Sequence, residues 1–208
     1  HDTSMKVRKQ IAWSEDIKTA VWTEIVTEKI RKQAENLEHW NRGESELLYE
    51  YISQMEFGDA TNREGHAAKV YFNALFGMDF TRTAENSINA ALNYGYSLLL
   101  STCTREIAIN GYITQLGLFH DNMFNPFNLA SDLMEPFRPL VDNLIKQMAP
   151  DKFEHDEKME VVKLLQKEII VSGRKEYLSN AMKLYCRSVF DALNDGDISL
   201  IKFYKNEL

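Results

Sequence analysis

Apolar positions recur at helical spacing along nearly the whole chain. Ser14 followed by Glu15 and Asp16 is an N-cap with acids in the first turn, where they complement the helix dipole. Ile17, Ala20, Val21, Ile25, Val26 and Ile30 then share one face, so a long helix is expected to run to about Trp40 and end at Asn41-Arg42-Gly43. A second helix is expected over about 44–56, with Leu47, Leu48, Tyr51, Ile52 and Met55 as its stripe, stopping near Gly58. A third opens at Thr61-x-x-Glu64 and runs to Phe76, before Gly77. The stretch from Ser87 to about Ile113 is the most apolar and reads as a central, buried helix. Its Gly95 and Gly111 favour close helix approach or a break. Residues 118–128 hold three Asn and one Pro without periodicity, so a loop is expected there. A helix over about 129–148 must kink or divide near Glu135, because Pro136 and Pro139 interrupt the backbone ladder. Two more helices are expected, over about 157–171 and 175–193. The pattern predicts an all-α fold without repeats or low-complexity segments.

Composition narrows this picture. A chain of 208 residues, 44% hydrophobic, can bury one sizeable core or two small lobes. No apolar run approaches the roughly 20 residues of a membrane span. The polar opening His1-Asp2-Thr3-Ser4 has no signal-peptide pattern and no initiator Met, so the sequence is expected to start inside a longer protein. Cys103 and Cys186 are the two cysteines; without a CxxC or zinc-ligand spacing they suit a reducing cytoplasm, and Cys103 is expected as a buried free thiol. The formal charge of −7 argues mildly against nonspecific nucleic-acid binding, which draws on Lys and Arg. The charge is uneven, however. Residues 36–60 carry six acids against Arg42 alone, whereas Lys6, Arg8 and Lys9, and Arg63, Lys69 and Arg82, form local basic groups.

Three helical segments carry candidate chemistry at Glu64, His120 and Glu135. Each has a bland reading. Thr61 and Glu64 fit a capping box; against that, Gly65, Ala67 and Ala68 keep the helix surface thin enough for a cation or a phosphate backbone to approach. His120, at the start of the Asn-rich loop, reads on general grounds as a surface or hydrogen-bonded residue. Asp132 and Glu135 lie one helical turn apart on one face, which suits a solvated acidic face, a bound cation, or pairing with Arg138. Tyr94, Tyr96, Trp13, Trp22 and Trp40 read as packing. No Ser, Cys or Tyr sits beside a general base in a nucleophile motif, which argues against a covalent intermediate.

The runs Asn62–Gly77 (NREGHAAKVYFNALFG), Asn86–Leu100 (NSINAALNYGYSLLL) and Phe127–Asp142 (FNLASDLMEPFRPLVD) resemble the helical catalytic domain of the CRISPR spacer-acquisition integrase, the Cas-one family, in the form that accompanies type II effector systems. The resemblance covers roughly residues 1–195, and the third run is its most specific part. It implies a helical catalytic domain over 14–208, preceded by a linker at 1–13 from an N-terminal β domain that this chain lacks. It also implies that Glu64, His120 and Glu135 bind the catalytic divalent metal, Mn2+ or Mg2+, with Asp132 and Arg138 in support. The implied reaction is endonuclease-like transesterification: the 3′-OH of a captured DNA duplex attacks a phosphodiester at a CRISPR repeat. Arg63, Lys69 and Arg105 are candidate DNA contacts, and His66 is structural or DNA-facing. The implied partners are double-stranded DNA, a second copy of the full-length protein, and a small ferredoxin-like adaptation protein, Cas-two, in the cytoplasm of a prokaryote and away from membranes.

Two other classes are open to the sequence. His1-Asp2 and His120-Asp121 suggest an HD-type metal phosphohydrolase, although His39, His66 and His155 supply no convincing further ligands. A non-catalytic helical interaction module, its acids merely solvated, is the other.

Overall fold

The computed structural model describes residues 3–206. Nine helices and three short strands follow one another among them: α1 (Thr3–Ile11), α2 (Glu15–His39), α3 (Ser45–Ser53), α4 (Arg63–Phe76), α5 (Ser87–Ile109), α6 (Asn128–Leu133), α7 (Arg138–Met148), α8 (His155–Val162), β1 (Glu168–Val171), β2 (Arg174–Tyr177), α9 (Leu178–Asp195) and β3 (Tyr204–Lys205). The expected all-α class holds, with one small sheet added. No helix among the described residues is long and apolar enough to cross a membrane. Contacts divide the chain into two units. One comprises the described residues up to Ile25, Leu98–Glu135, and those from Leu165 onward; the other comprises Val26–Ser97 and Pro136–Leu164.

In the first unit, the segment expected to be a linker is helical as α1. Its buried Gln10 works like a length of backbone: Nε2 donates to the carbonyls of Ile113 (2.8 Å) and Leu116 (3.3 Å), and Oε1 accepts from Ile113 N–H at 2.9 Å. That satisfies polar groups of the strand-less chain leaving α5, which turns at Gly111 with φ +85°. Trp13 Nε1 donates to Asn194 Oδ1 and Asn194 Nδ2 to the Tyr112 hydroxyl, so both polar-tipped rings are satisfied as they pack.

The C-terminal part corrects the helix expected over 157–171. Helix α8 stops at Val162, and Ile169-Ile170-Val171 form strand β1 instead. β-Branched side chains lose rotamer freedom in a helix and fit a pleated, half-buried surface. Ile169 and Val171 point inward, both buried. Ser172 (φ 50°) and Gly173 (φ 77°) make the two-residue turn with both φ positive that a tight hairpin needs. The sheet order is β2-β1-β3, antiparallel, with Val171 opposite both Arg174 and Tyr204.

The second unit has its own core of Ile30, Ala34, Leu37, Leu48, Ala67, Tyr71 and Leu75, all fully buried. Trp40 packs at its edge and donates Nε1 to Asn143 Oδ1 at 2.7 Å. Gly95 of α5 meets Val141 of α7 so closely that a Cβ would strike the valine methyls, which accounts for the glycine. A buried polar network lies within the unit: Asn36 Nδ2 donates to the Tyr71 hydroxyl and to the Pro139 carbonyl, and Tyr71 and Tyr96 both donate to the Asp142 carboxylate. Burial pushes the Asp142 carboxyl up to about 6, while the two phenols and then the Arg138 and Lys29 charges oppose that rise.

Pro136 and Pro139 act as expected. Helix α6 ends at Leu133, a single 3-10 turn covers Glu135–Phe137, and α7 restarts with Pro139 in its first turn, where a missing N–H costs nothing.

Candidate functional site

In the first unit, Asp132 organises the loop that carries His120. Its side chain is wholly buried, and its two oxygens accept from three successive backbone N–H groups: Leu118 (2.6 Å) and Phe119 (3.1 Å) at Oδ2, and His120 (3.2 Å) at Oδ1. Gly117 makes this wrap possible, because a Cβ there would collide with the His120 carbonyl and crowd Asp132. The same Oδ1 lies 2.5 Å from His120 Nδ1. A carboxylate accepting from this ring puts the proton on Nδ1 and the lone pair on Nε2, the arrangement that metal-binding histidines use. The imidazole is 41% exposed and stands edge-on to Trp22 and Phe119, which stack on each other at 4.5 Å. Trp22 is therefore packing, as expected. The loop also holds itself: Asn128 Nδ2 donates to the carbonyls of Gln115 and Asn122, and Asn122 and Asn125 cap turns at Phe124 and Phe127.

Glu135 follows directly and is 96% shielded, with 4% exposure. The solvated-face reading of Asp132 and Glu135 is thus overturned; both acids are interior. The physical reason is local: α6 is capped short by Pro136, so Asp132 turns to the loop and Glu135 falls on a separate 3-10 turn. The Tyr185 phenol of α9 registers them. Burial first, then the Cys186 and Cys103 thiols and the Asp132 and Glu135 carboxylates, push it well above its ordinary range, so it remains a protonated phenol and a poor nucleophile. Cys103 and Cys186 are buried free thiols, as expected for Cys103.

Glu64 belongs to the second unit and opens α4. The capping box expected from Thr61 does not form. Asn62, in left-handed conformation (φ 54°), is the cap and accepts from Gly65 N–H, while Asp59 reaches forward to accept from Arg63 N–H (2.6 Å) and Glu64 N–H (3.0 Å). Two acceptors thus serve three orphan donors of the first turn, and the Glu64 carboxylate is released from capping. It takes Lys29 of α2 instead: Lys29 Nζ lies 2.5 Å from Glu64 Oε1, with side-chain exposures of 10% and 30%.

The basic candidates differ in setting. Arg63 stands 5.7 Å from the Tyr51 ring centre, and its enclosed Nε meets no acceptor among the described residues. Lys69 and His66 are exposed and line a cleft with Tyr51, Val70 and Met78. Arg105 is 60% exposed, with Nε 3.7 Å from the buried Glu106. Arg138 stacks over Tyr96 at 4.6 Å, within the second unit. Lys29, Asp59 and Glu106 escaped the sequence reading. The signal for Lys29 was present: it lies four residues after Ile25, on the apolar stripe of α2, where a charge demands a partner. Among the described residues, no group of three or more His, Cys, Asp or Glu side chains stands ready to hold a metal ion. Of the HD dipeptides, His1-Asp2 lies outside the described residues, and His120 pairs with Asp132 and not with Asp121.

This mostly helical fold is shared with solved structures. A casposase bound to integration product superposes with a TM-score of 0.77 at 20% identity, covering 92% of this chain and 66% of that one. A CAS1 protein from Thermotoga maritima gives 0.74 at 19% identity, over 91% and 70%. A partial Cas6-RT-Cas1–Cas2 complex gives 0.78 at 18%, over 97% and 73%. In sequence, the family described as CRISPR associated protein Cas1 matches residues 1–181. The CRISPR-associated endonuclease Cas1 of Neisseria meningitidis serogroup C is 44% identical over 140 residues, 66% of this chain and 46% of that protein. The CRISPR-associated endonuclease Cas1 2 of Pyrobaculum aerophilum is 30% identical over 187 residues, 79% of this chain and 62% of that protein. The chain belongs to the Cas1 family, and it spans about half the length of these two relatives.

Proposed function

We propose that the chain is the helical catalytic part of a CRISPR-adaptation integrase, which joins captured DNA to a repeat by metal-dependent transesterification. The observation that carries the reading is the His120–Asp132 pair. A fully buried carboxylate holds the imidazole together with the three N–H groups of its loop, which supports a ligand role for the ring.

The donor chemistry suits a small divalent cation, Mn2+ or Mg2+. Membership of the family supports His120, Glu135 and Glu64 as the residues that would hold it, since an imidazole and two carboxylates are donors such a cation accepts. When bound, such a cation polarises the scissile phosphate and eases deprotonation of the attacking hydroxyl. The residues of the chain prepare for this. Asp132 holds the imidazole, Asp59 and Asn62 fix the turn that presents Glu64, and Arg63, Lys69, Arg105 and Arg138 are the phosphate-contact candidates. In the reaction, the 3′-oxygen of the captured strand forms a new P–O bond while the repeat's P–O bond breaks, releasing another 3′-OH that takes up the proton. One phosphodiester replaces another, so no nucleotide hydrolysis is needed to drive the step.

The partners follow from the same reading. They are double-stranded DNA, a second copy of the full-length protein and a small Cas2-type protein, in the prokaryotic cytoplasm. The casposase neighbour bound to integration product and the neighbours in Cas1–Cas2 complexes support it. The test is strand joining of a short duplex into a repeat-bearing plasmid by the full-length protein with its small partner and Mn2+. Wild type is expected to join and Glu64→Ala to lose joining; joining that survives the substitution removes Glu64 from the site.

A further inference from the structure

We infer that the groove along the outer side of α4, from Lys69 to the Arg42–Lys146 pair, binds phosphates of a DNA strand. This rests on the reading of DNA as the substrate given above.

The groove lies wholly within the second unit. One end is a cleft of about 420 Å3 where the turn between α2 and α3 meets the end of α4, with Arg42, Phe76 and Lys146 in its lining. Aromatic rings set Lys146 in place: its Nζ stands 5.7 Å from the Trp40 ring centre and 6.0 Å from that of Phe76. Trp40 is held in turn by Asn143, one turn before Lys146 on α7. Arg42 is exposed, and its N–H donates to the Leu37 carbonyl at 2.7 Å, so its side chain leaves from a fixed turn.

Other lysines of this unit sit beside acids, Lys152 with Glu154 and Lys163 with Glu160. Among the described residues, neither Arg42 nor Lys146 makes an ion pair. The charged neighbour of Lys146 is Arg42: burial first, and then that charge, hold the ammonium below its ordinary range. Two like charges at one mouth repel, and an anion between them relieves the repulsion. Phosphate suits the pair, since guanidinium offers a planar fork and ammonium a point charge.

A second cleft, of about 450 Å3, shares Glu44, Asn73, Ala74 and Met78 with the first, so the two run together. It brings in His66 and Lys69. These two and Asn73 lie on the side of α4 opposite Glu64, while Ala67, Tyr71 and Leu75 face the core. The groove is therefore a different surface from the one that carries Glu64. From Lys69 to Phe76 the helix advances about 10 Å, on the order of three phosphates along one strand of B-DNA. Cations at both ends of that span match a chain of phosphates better than a single ion. Glu44 is the acid that lines both clefts, and it opposes such a ligand.

The test is binding of a short labelled DNA duplex to the full-length protein across a range of salt concentrations. Arg42→Gln and Lys146→Gln are each expected to weaken binding about 3- to 10-fold and to lower the salt slope by about one. Glu44→Gln, which removes the opposing charge, is expected to tighten binding about twofold. Lys163→Gln, at a lysine already beside Glu160, is expected to stay within about twofold of wild type. Arg42 is exposed, so Arg42→Gln reads the site even if Lys146→Gln disturbs Trp40. Unchanged affinity and slope in Arg42→Gln, or an equal loss in Lys163→Gln, overturns the proposal. Inorganic phosphate is titrated in parallel by calorimetry. Phosphate binding that the two substitutions abolish, with DNA binding unaltered, assigns the pair to a free ion and overturns the strand reading. Wild type that binds no DNA at all removes the substrate reading first, and this inference with it.

Discussion

Asp132 Oδ1 stands 2.5 Å from His120 Nδ1 and also accepts the backbone N–H of the same residue. One oxygen thus fixes both the main chain and the ring of His120. Asp132→Asn preserves shape but turns a donor toward the imidazole, which moves the proton to Nε2. Strand joining and Mn2+ affinity are expected to fall roughly 10- to 100-fold, with a smaller loss of melting temperature than Asp132→Ala, since the amide nitrogen leaves only the His120 N–H without its acceptor. Asp132→Ala, by contrast, strands three N–H groups and is expected to unfold at markedly lower temperature. Equal effects from the two substitutions would show that the acid acts through stability alone.

Asp59 is expected to matter to joining without touching the reaction. Its carboxylate receives the Arg63 and Glu64 N–H groups. Asp59→Ala is expected to cost about 1 kcal/mol, in the range of lost helix caps, and to lower joining further than that destabilisation explains. Denaturant unfolding and joining rate, measured on the same protein, separate the two effects.

Stability is expected to depend on pH through Asp142. Burial raises its carboxyl from 3.8 to about 6, so the folded protein holds this proton more tightly than the unfolded chain does. The associated stabilisation is complete below about pH 4 and is lost as pH rises through about 6. Relative to Asp142→Asn, which does not titrate, wild type should lose about 3 kcal/mol between those limits. Melting temperatures of both proteins from pH 4 to pH 7 check this; a constant difference across the range contradicts it.

Gly95→Ala is expected to destabilise by about 1–3 kcal/mol, the usual cost of overpacking a tight contact. The added methyl meets Val141. Val141→Ala in the same chain should recover much of the loss, giving a coupling that a double-mutant cycle reads directly. Independent, additive costs would place the strain elsewhere.

Most helices were legible because the apolar stripe repeats every three to four residues, as from Ile17 to Ile30, and because Asn41-Arg42-Gly43 and Gly77 stop the chain where they stand. The hairpin was missed although Ile169-Ile170-Val171 followed by Ser172-Gly173 carries a strand-and-turn signal; helical periodicity was extended across it. For the site, residue type and context nominated His120 and Asp132, but the inward turn of Asp132 depends on the short α6 and on Gly117, neither of which periodicity reveals. The bland alternative for Glu64, a cap partner, rested on the spacing of Thr61, and no such box forms. Asn62 and Asp59 captured those donors through positive-φ turns that spacing alone does not specify.

The amide of Gln10 gives the first helix a significance beyond its position. Ile113 and Leu116 lean on that one side chain for their main-chain bonds, and the segment they begin continues into the His120 loop. A polypeptide cut after Ile11 would lose no candidate ligand, yet it would slacken the tether upstream of the imidazole. For anyone trimming this chain, Thr3–Ile11, nine residues that look like a spacer, belong with the folded unit that carries His120.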